Sequence, residues 1–349
     1  MLLGSWSSRR LLALSGAVAA LALIAAGCGS SSSKSSSAKT KPSAVSTSKS
    51  SPAAHATTVT FAYVPYSDDA ALFLGIERGV FKAHGLNVKL VPEPSPAPVV
   101  AGLASGTDQF GFVTTNVLVD AVGHGVPIKC VSTVDGNQTP NPNGGSAVLL
   151  TAPGSGIHSV KQLDGKTVAV VQLNSLNSVD VQELVAQAGG NPSSLHLIAL
   201  PFPQMPEALK DHRVAAAVVV SPFSATAIKE GATPIAHPNS ELFPNGTLTC
   251  IAASNSYIAS HPAQVKGWYE SIDESAAYAK THRSQALATL TKYLKLSPAA
   301  AQHAVLDTDW DTTINVASVQ KQEQLLRKFG ALPKPVPVSD LFAPPWYTP

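Results

Sequence analysis

Apolar segments of strand period and helix period alternate twice along this chain, which confines it to layered α/β architectures. Val59 to Pro65, Leu86 to Val91, Gln109 to Thr114 and Ile128 to Val134 read as strands. Helical spacing separates them over Asp69 to Phe81, Pro98 to Ser105 and Asn116 to Gly123. The alternation then starts again. Thr167 to Val171, Leu195 to Leu200 and Val214 to Val220 are strand-like, with helices over Val181 to Ala188, Pro206 to Asp211 and Pro222 to Glu230. Each run is near the minimum for a mainly parallel sheet of its own. After one more strand, Thr247 to Ala253, the rest is helical. Val265, Trp268, Ile272, Ala276 and Ala279 share one stripe, and so do Ala286, Leu287, Leu290 and Leu294. Ser297-Pro298 opens a further helix, and Gln320 to Phe329 forms another, stopped by Gly330. Such a tail needs a sheet to cover.

The N-terminal segment obeys different rules. Arg9 and Arg10 precede an apolar run, Leu11 to Ala26, that is short for a membrane span, and Gly27-Cys28-Gly29 follows. This resembles a bacterial lipoprotein signal, in which residues 1–27 are removed and Cys28 takes a lipid. Ala25 departs from it, since that signal usually has Leu or Val there. Residues 28–57 are Ser-rich, with Lys34, Lys39, Lys41 and Lys49 and no acids. They bury too little to order themselves, so they read as a tether with an r.m.s. reach of about 30 Å. The protein is expected to work outside the cytoplasm. A net charge of +2 without a basic stripe disfavours nucleic acid as a partner. Cys130 and Cys250 both lie in apolar, β-branched stretches; the sequence leaves open a disulfide or two buried thiols.

In open α/β sheets, ligands gather at the carboxyl ends of strands. Here those ends are rich in small polar groups: Tyr66-Ser67-Asp68-Asp69, Thr114-Thr115-Asn116, Asn174-Ser175 with Asn177-Ser178 following, and Ser221-Pro222-Phe223. Each is explicable as a helix N-cap, and Asp68-Asp69 as a favourable charge at a helix start. As clusters at matching ends of two sheets, they point to one shared cleft. Tyr66, Phe202, Phe223 and Trp310 are aromatic residues suited to a flat or amphipathic ligand, or to plain packing. Enzyme and metal signals fail. Gly154-Ser155-Gly156 lacks the third glycine of a dinucleotide loop. Asp307-Thr308-Asp309 opens like a calcium loop but has Thr312 for the glycine and Ser318 for the closing glutamate. The histidines are scattered and no Gly-x-Ser-x-Gly is present. No cofactor, metal or catalytic residue is expected.

Ala71 to Phe81 followed by His84 to Val91 resembles the opening of nitrate/sulfonate/taurine-type substrate-binding proteins of ABC importers, a group that extends to binders of thiamine-pyrimidine precursors. Gly102 to Gly111, Gly125 to Lys129, Val160 to Ala169 and Phe329 to Val336 continue the likeness in order. It implies a type 2 periplasmic-binding fold, in which two α/β lobes are joined by two crossing strands, here Ser146 to Ala152 and Thr247 to Ala253. Lobe 1 would be residues 58–150 plus 249–349, and lobe 2 residues 151–248. The strand of Cys250 would return beside that of Cys130, which favours a disulfide. The implied function is a monomeric, lipid-anchored receptor. It would hold a small solute (sulfonate-like, nitrate-like or a pyrimidine precursor) between its lobes and deliver it to an ABC permease. The implied ligand residues are Tyr66, Ser67, Asp68, Thr114, Thr115, Asn116, Asn174, Ser175, Ser221, Phe223 and Trp310. No Arg or Lys stands at these strand ends, as an anion-specific member would have. A sensing lipoprotein without transport, or a pyrimidine-precursor enzyme on the same fold, is the alternative.

Overall fold

A computed structural model describes residues 56–135, 147–302, 304 and 309–343. The signal segment, Cys28 and nearly all of the tether lie outside the described residues. The first run of the chain supplies β1 (Thr57–Tyr63), β2 (Leu86–Pro92), β3 (Phe110–Thr114) and β4 (Ile128–Ser132). The second supplies β5 (Ala147–Thr151), β6 (Thr167–Val170), β7 (His196–Ala199), β8 (Ala216–Val220) and β9 (Thr233–Ala236). A last strand, β10 (Thr249–Ser254), rejoins the first group. They form two five-stranded sheets, ordered β2-β1-β3-β10-β4 and β7-β6-β8-β5-β9.

The two sheets follow one plan. In the first, β1 runs parallel to β2 and β3, and β10 lies antiparallel between β3 and β4. In the second, β6 runs parallel to β7 and β8, and β5 lies antiparallel between β8 and β9. Strands β5, β8 and β10 are buried along their whole length, as strands covered on both faces must be. Their Val, Ile, Leu and Ala runs suit that position. The edge strand β7 is mostly exposed. The segments expected to cross between lobes are therefore each an inner member of one sheet. The chain changes sheet in the connections before them, β4 to β5 and β9 to β10.

Helices α1 (Ala70–Glu77), α2 (Val80–Ala83), α3 (Pro96–Ser105) and α4 (Thr115–Gly123) alternate with the first strands. Helices α5 (Leu176–Gln187), α6 (Met205–Lys210), α7 (Phe223–Lys229) and α8 (Pro238–Leu242) do so in the second group. The tail adds α9 (Asn255–Ser260), α10 (Pro262–Thr281), α11 (Arg283–Tyr293), α12 (Pro298–Gln302), α13 (Val316–Lys328) and α14 (Val338–Leu341). The single helix expected from Asp69 to Phe81 is two, because Gly79 takes a left-handed φ of 76° that ends α1. Strand β9 was not expected. Its Thr-Pro-Ile-Ala text carries Pro234, which suits an edge strand and hides the strand period.

The helical tail covers the first sheet through α10. Trp268 is fully buried there, its ring 5.1 Å from Phe61, 5.1 Å from Phe81 and 4.1 Å from Phe110. Helix α13 reaches further and packs on both α4 and α5, so the tail touches both lobes. Cys130 on β4 and Cys250 on β10 are joined as a disulfide, with Cα atoms 5.7 Å apart and 120 residues between them in sequence. Closing a loop of that length removes about 5 kcal/mol of unfolded-chain entropy in the simplest treatment. Replacing both cysteines with alanine should lower the thermal midpoint in non-reducing buffer by about 4–10 °C, with reductant having no further effect on the variant. A double variant as stable as the wild type would contradict this.

Candidate functional site

The carboxyl ends of the two sheets meet at a cavity of about 30 Å³. From the first lobe, Tyr66 and Asp68 follow β1, Thr114 ends β3 and Asp135 follows β4. Phe112 on β3 and Thr249 on β10 complete that wall. From the second lobe, Asn177 stands in the first turn of α5, Val220 ends β8 and Asn239 stands in α8 after β9. A larger groove of about 460 Å³ lies at the opposite, amino ends of β6 and β8, around Lys166, Thr167 and Arg213. Arg213 is engaged there by Glu207 and Asp211, each at 3.7 Å. The smaller cavity is the candidate site, because of these two it is the one where helix starts and strand ends from both sheets converge.

Side chains hold the lobes together around it. Ser67 Oγ and Ser221 Oγ are 3.2 Å apart across the cleft. Asn116 Nδ2 donates to the Asn174 carbonyl at 3.4 Å, and Asn174 takes a left-handed φ of 62° to present it. The Tyr66 and Phe202 rings meet edge to face at 5.8 Å. On the far side of α5, Lys328 of α13 pairs with Glu183 at 2.5 Å.

The capping explanation of these polar residues does not hold. Tyr66, Asp69, Thr114, Ser175 and Pro222 occupy the N-cap positions nearest the cavity, and none makes a side-chain cap hydrogen bond. Side-chain caps do form away from the cleft, at Asn191, Ser254 and Asn315. The Thr114 hydroxyl has no hydrogen-bond partner among the described residues. Asn177 is 7% exposed, and its side chain makes no hydrogen bond with any described residue.

Of the residues singled out from sequence, Tyr66, Asp68 and Thr114 line the cavity. Ser67, Asn116, Asn174 and Ser221 bridge the lobes beside it. The Thr115 hydroxyl is engaged by the Thr247 carbonyl at 3.1 Å and by Gln322 of α13. Ser175 turns back on the Gln172 carbonyl at 2.6 Å. Phe223 is half-buried at the start of α7. Trp310 stands behind the wall, its indole N–H donating to the Asp68 carbonyl at 3.0 Å. Sequence reasoning missed Asp135, although the strand-end argument applied to β4 reaches it directly. It missed Asn239 because β9 was not seen.

The site is acidic and closed at its back. Asp69 is fully buried, and among the described residues neither carboxylate oxygen has a hydrogen-bond partner. Burial, and then the neighbouring Asp68, push its pKa well above the carboxylate range against a weaker pull from the Tyr66 backbone. The Tyr66 hydroxyl is also pushed up, first by burial and then by Asp69, Asp68 and Asp135. Because the raised group holds its proton in the folded chain, its contribution to stability is full below about pH 4 and fades as pH rises towards the folded value. Asp69→Asn removes the ionisation and keeps the shape. Its melting temperature should match the wild type near pH 4 and exceed it by a few degrees at pH 8. A gap that stays constant with pH would contradict the burial argument.

Comparison with known proteins finds relatives that share this fold. Residues 67–286 match the family described as NMT1/THI5 like. A protein of Escherichia coli (strain K12) named for binding aliphatic sulfonates is 26% identical over 281 residues, 75% of this chain and 85% of that protein. The ligand-binding component of an ABC-type import system from Staphylococcus aureus superposes with a TM-score of 0.69 at 16% identity, covering 83% of this chain and 97% of its own. The alkanesulfonate-binding protein SsuA from Xanthomonas axonopodis pv. citri, bound to MOPS, gives 0.67 at 17% identity, covering 84% and 99%. These likenesses share the two-lobe fold, and the extent of the family match shows that this chain belongs to the NMT1/THI5 like family.

Proposed function

We propose that the protein is an extracytoplasmic solute receptor that captures a small organic molecule between its lobes and hands it to an ABC permease. The observation that carries this reading is the cavity at the facing strand ends, bridged by contacts from both lobes and lined by polar side chains of both, Asp68 and Thr114 from one and Asn177 from the other. The related proteins named as sulfonate and importer binding components support it. Binding is non-covalent and no catalytic step is assigned. Among the described residues no cluster of His, Cys, Asp and Glu suits a metal ion. The chain acts as a monomer, and residues 1–27 direct export.

Cys28 carries a lipid in this proposal, and residues 28–57 tether the lobes to the membrane. Tethering raises the receptor's effective concentration at its permease. Ligand binding shifts the lobes towards the closed arrangement by its higher affinity for that state.

Two measurements test this. A metabolite screen on the purified protein should yield a solute that raises the melting temperature, by about 5–10 °C at a hundredfold excess over Kd, and that compacts the protein in small-angle scattering. A broad screen without such a solute would sink the receptor reading. In cells, the protein should carry a lipid mass increment that is absent in Cys28→Ser, and an unmodified wild-type chain would remove the anchor.

A further inference from the structure

Helix α13 is fastened to the second crossing on both sides of a tight turn. On the first-lobe side lies Thr247, which leads into β10. Its N–H donates to Ser318 Oγ at 2.8 Å, and its carbonyl accepts from Gln322 Nε2 at 2.7 Å. Its hydroxyl accepts from the Asn315 N–H at 2.7 Å. On the second-lobe side lies Leu242, the last residue of α8, whose carbonyl accepts from Lys321 Nζ at 2.5 Å. Between them the chain bends sharply. Asn245 has a left-handed φ of 57°, and a Cβ at Gly246 would stand 2.8 Å from the Phe243 carbonyl oxygen. The turn over residues 243–246 is tight enough to require that glycine, and α13 splints it from Leu242 to Thr247.

The same helix reaches further over the second lobe. Lys328 pairs with Glu183 of α5 at 2.5 Å. Glu183 is 7% exposed, and Gln187 Nε2 donates to its other oxygen at 2.9 Å, so the carboxylate is held in place. Asp180 stands one turn earlier on α5, fully buried. Burial pushes its pKa well up, the nearby Lys321 ammonium opposes that, and Glu183 adds to it. Both lysines therefore meet the second lobe through a charged contact. Such hydrogen bonds are roughly twice as strong as neutral ones. The contacts across the cleft beside the cavity are neutral, Ser67 with Ser221 at 3.2 Å and Asn116 with Asn174 at 3.4 Å. Of these four contacts between the lobes, the two on α13 are the stronger.

We propose that α13 is a latch that sets the balance between open and closed lobes. It is seated on the first lobe through Thr115 and Thr247, and Lys321 and Lys328 hold the second lobe against it. Opening breaks those two charged contacts as the turn over residues 243–246 unbends. Part of the population is therefore already closed when the cleft is empty, and a solute shifts the remainder. This rests on the solute-receptor reading, in which the lobes open and close, but its test needs no solute.

The test is a charge exchange in the purified, ligand-free protein. Lys328→Glu and Glu183→Lys each set like charges against one another, and together they restore an opposite pair. Each single variant should enlarge the radius of gyration in small-angle scattering. Each should also quicken backbone hydrogen exchange at the end of α5 by about fivefold or more, the effect of one partly exposed ion pair. The double exchange should return both readings towards the wild type. Lys321→Met keeps the apolar stem, removes the ammonium and should act in the same direction as the single exchanges. Folded single variants with wild-type dimensions and exchange would overturn the latch, and so would a double exchange as open as either single variant. If the single variants do not fold, the wild type in sodium chloride decides. The Lys328 side chain is 50% exposed, so about 1 M salt should screen its pair and enlarge the protein. Dimensions unchanged between about 0.1 and 1 M would overturn the latch. Lobes that open in these variants while no solute binds would uphold the latch and sink the receptor reading.

Discussion

Each sheet depends on an inner strand that arrives only after the chain has crossed from the other group. Strand β10 fills the gap between β3 and β4, and β5 lies between β8 and β9. An inner strand shares hydrogen bonds with two neighbours, and leaving either set unmade in a buried sheet costs heavily. The second sheet and its helices α5–α8 come from one continuous stretch, residues 147–242, whereas the first sheet does not. The first lobe waits for the second to be traversed before β10 can close it. The cleft is a by-product of that route: both crossings pass at the same end of both sheets, and the carboxyl ends of the parallel strands are left facing each other.

The consequences run outward from there. Helices that follow the parallel strands begin at the cleft, so their first backbone N–H groups and flanking polar side chains cluster there. In an ordinary helix those side chains would cap the backbone. Here Thr114 and Ser175 do not, and Ser67, Asn116 and Ser221 reach across to the other lobe instead. The site thus gives up local capping for bridging and for unpaired polar groups, a departure from local consistency that marks functional ground. Helix α13 closes the other side by binding α4 through Gln322 and α5 through Lys328.

Much of this was readable in the residues. The strand and helix periods of the core elements identified nearly every inner strand, because strands buried on both faces are written in β-branched and small apolar residues, as in Ala216–Val220. Elements at the periphery were harder. Strand β9, with Pro234 and exposed threonine, carries no period, and α8 and α9 are too short to display one. The site was legible by position and less so by role. Strand-end reasoning led to Tyr66, Asp68 and Thr114, which line the cavity, whereas the Thr115 hydroxyl bonds the Thr247 carbonyl and the Trp310 indole bonds the Asp68 carbonyl. Which polar groups remain unpaired depends on contacts between residues far apart in sequence, and no local pattern records those.

The bond between Cys130 and Cys250 encloses the whole inserted lobe in a covalent ring. A cut anywhere between those two residues would leave one molecule, with both halves of the nicked lobe still attached to the first sheet. Tension applied between the two termini would likewise bypass the ring and load only the outer segments. The inserted lobe is thereby mechanically and proteolytically the sheltered part of the chain.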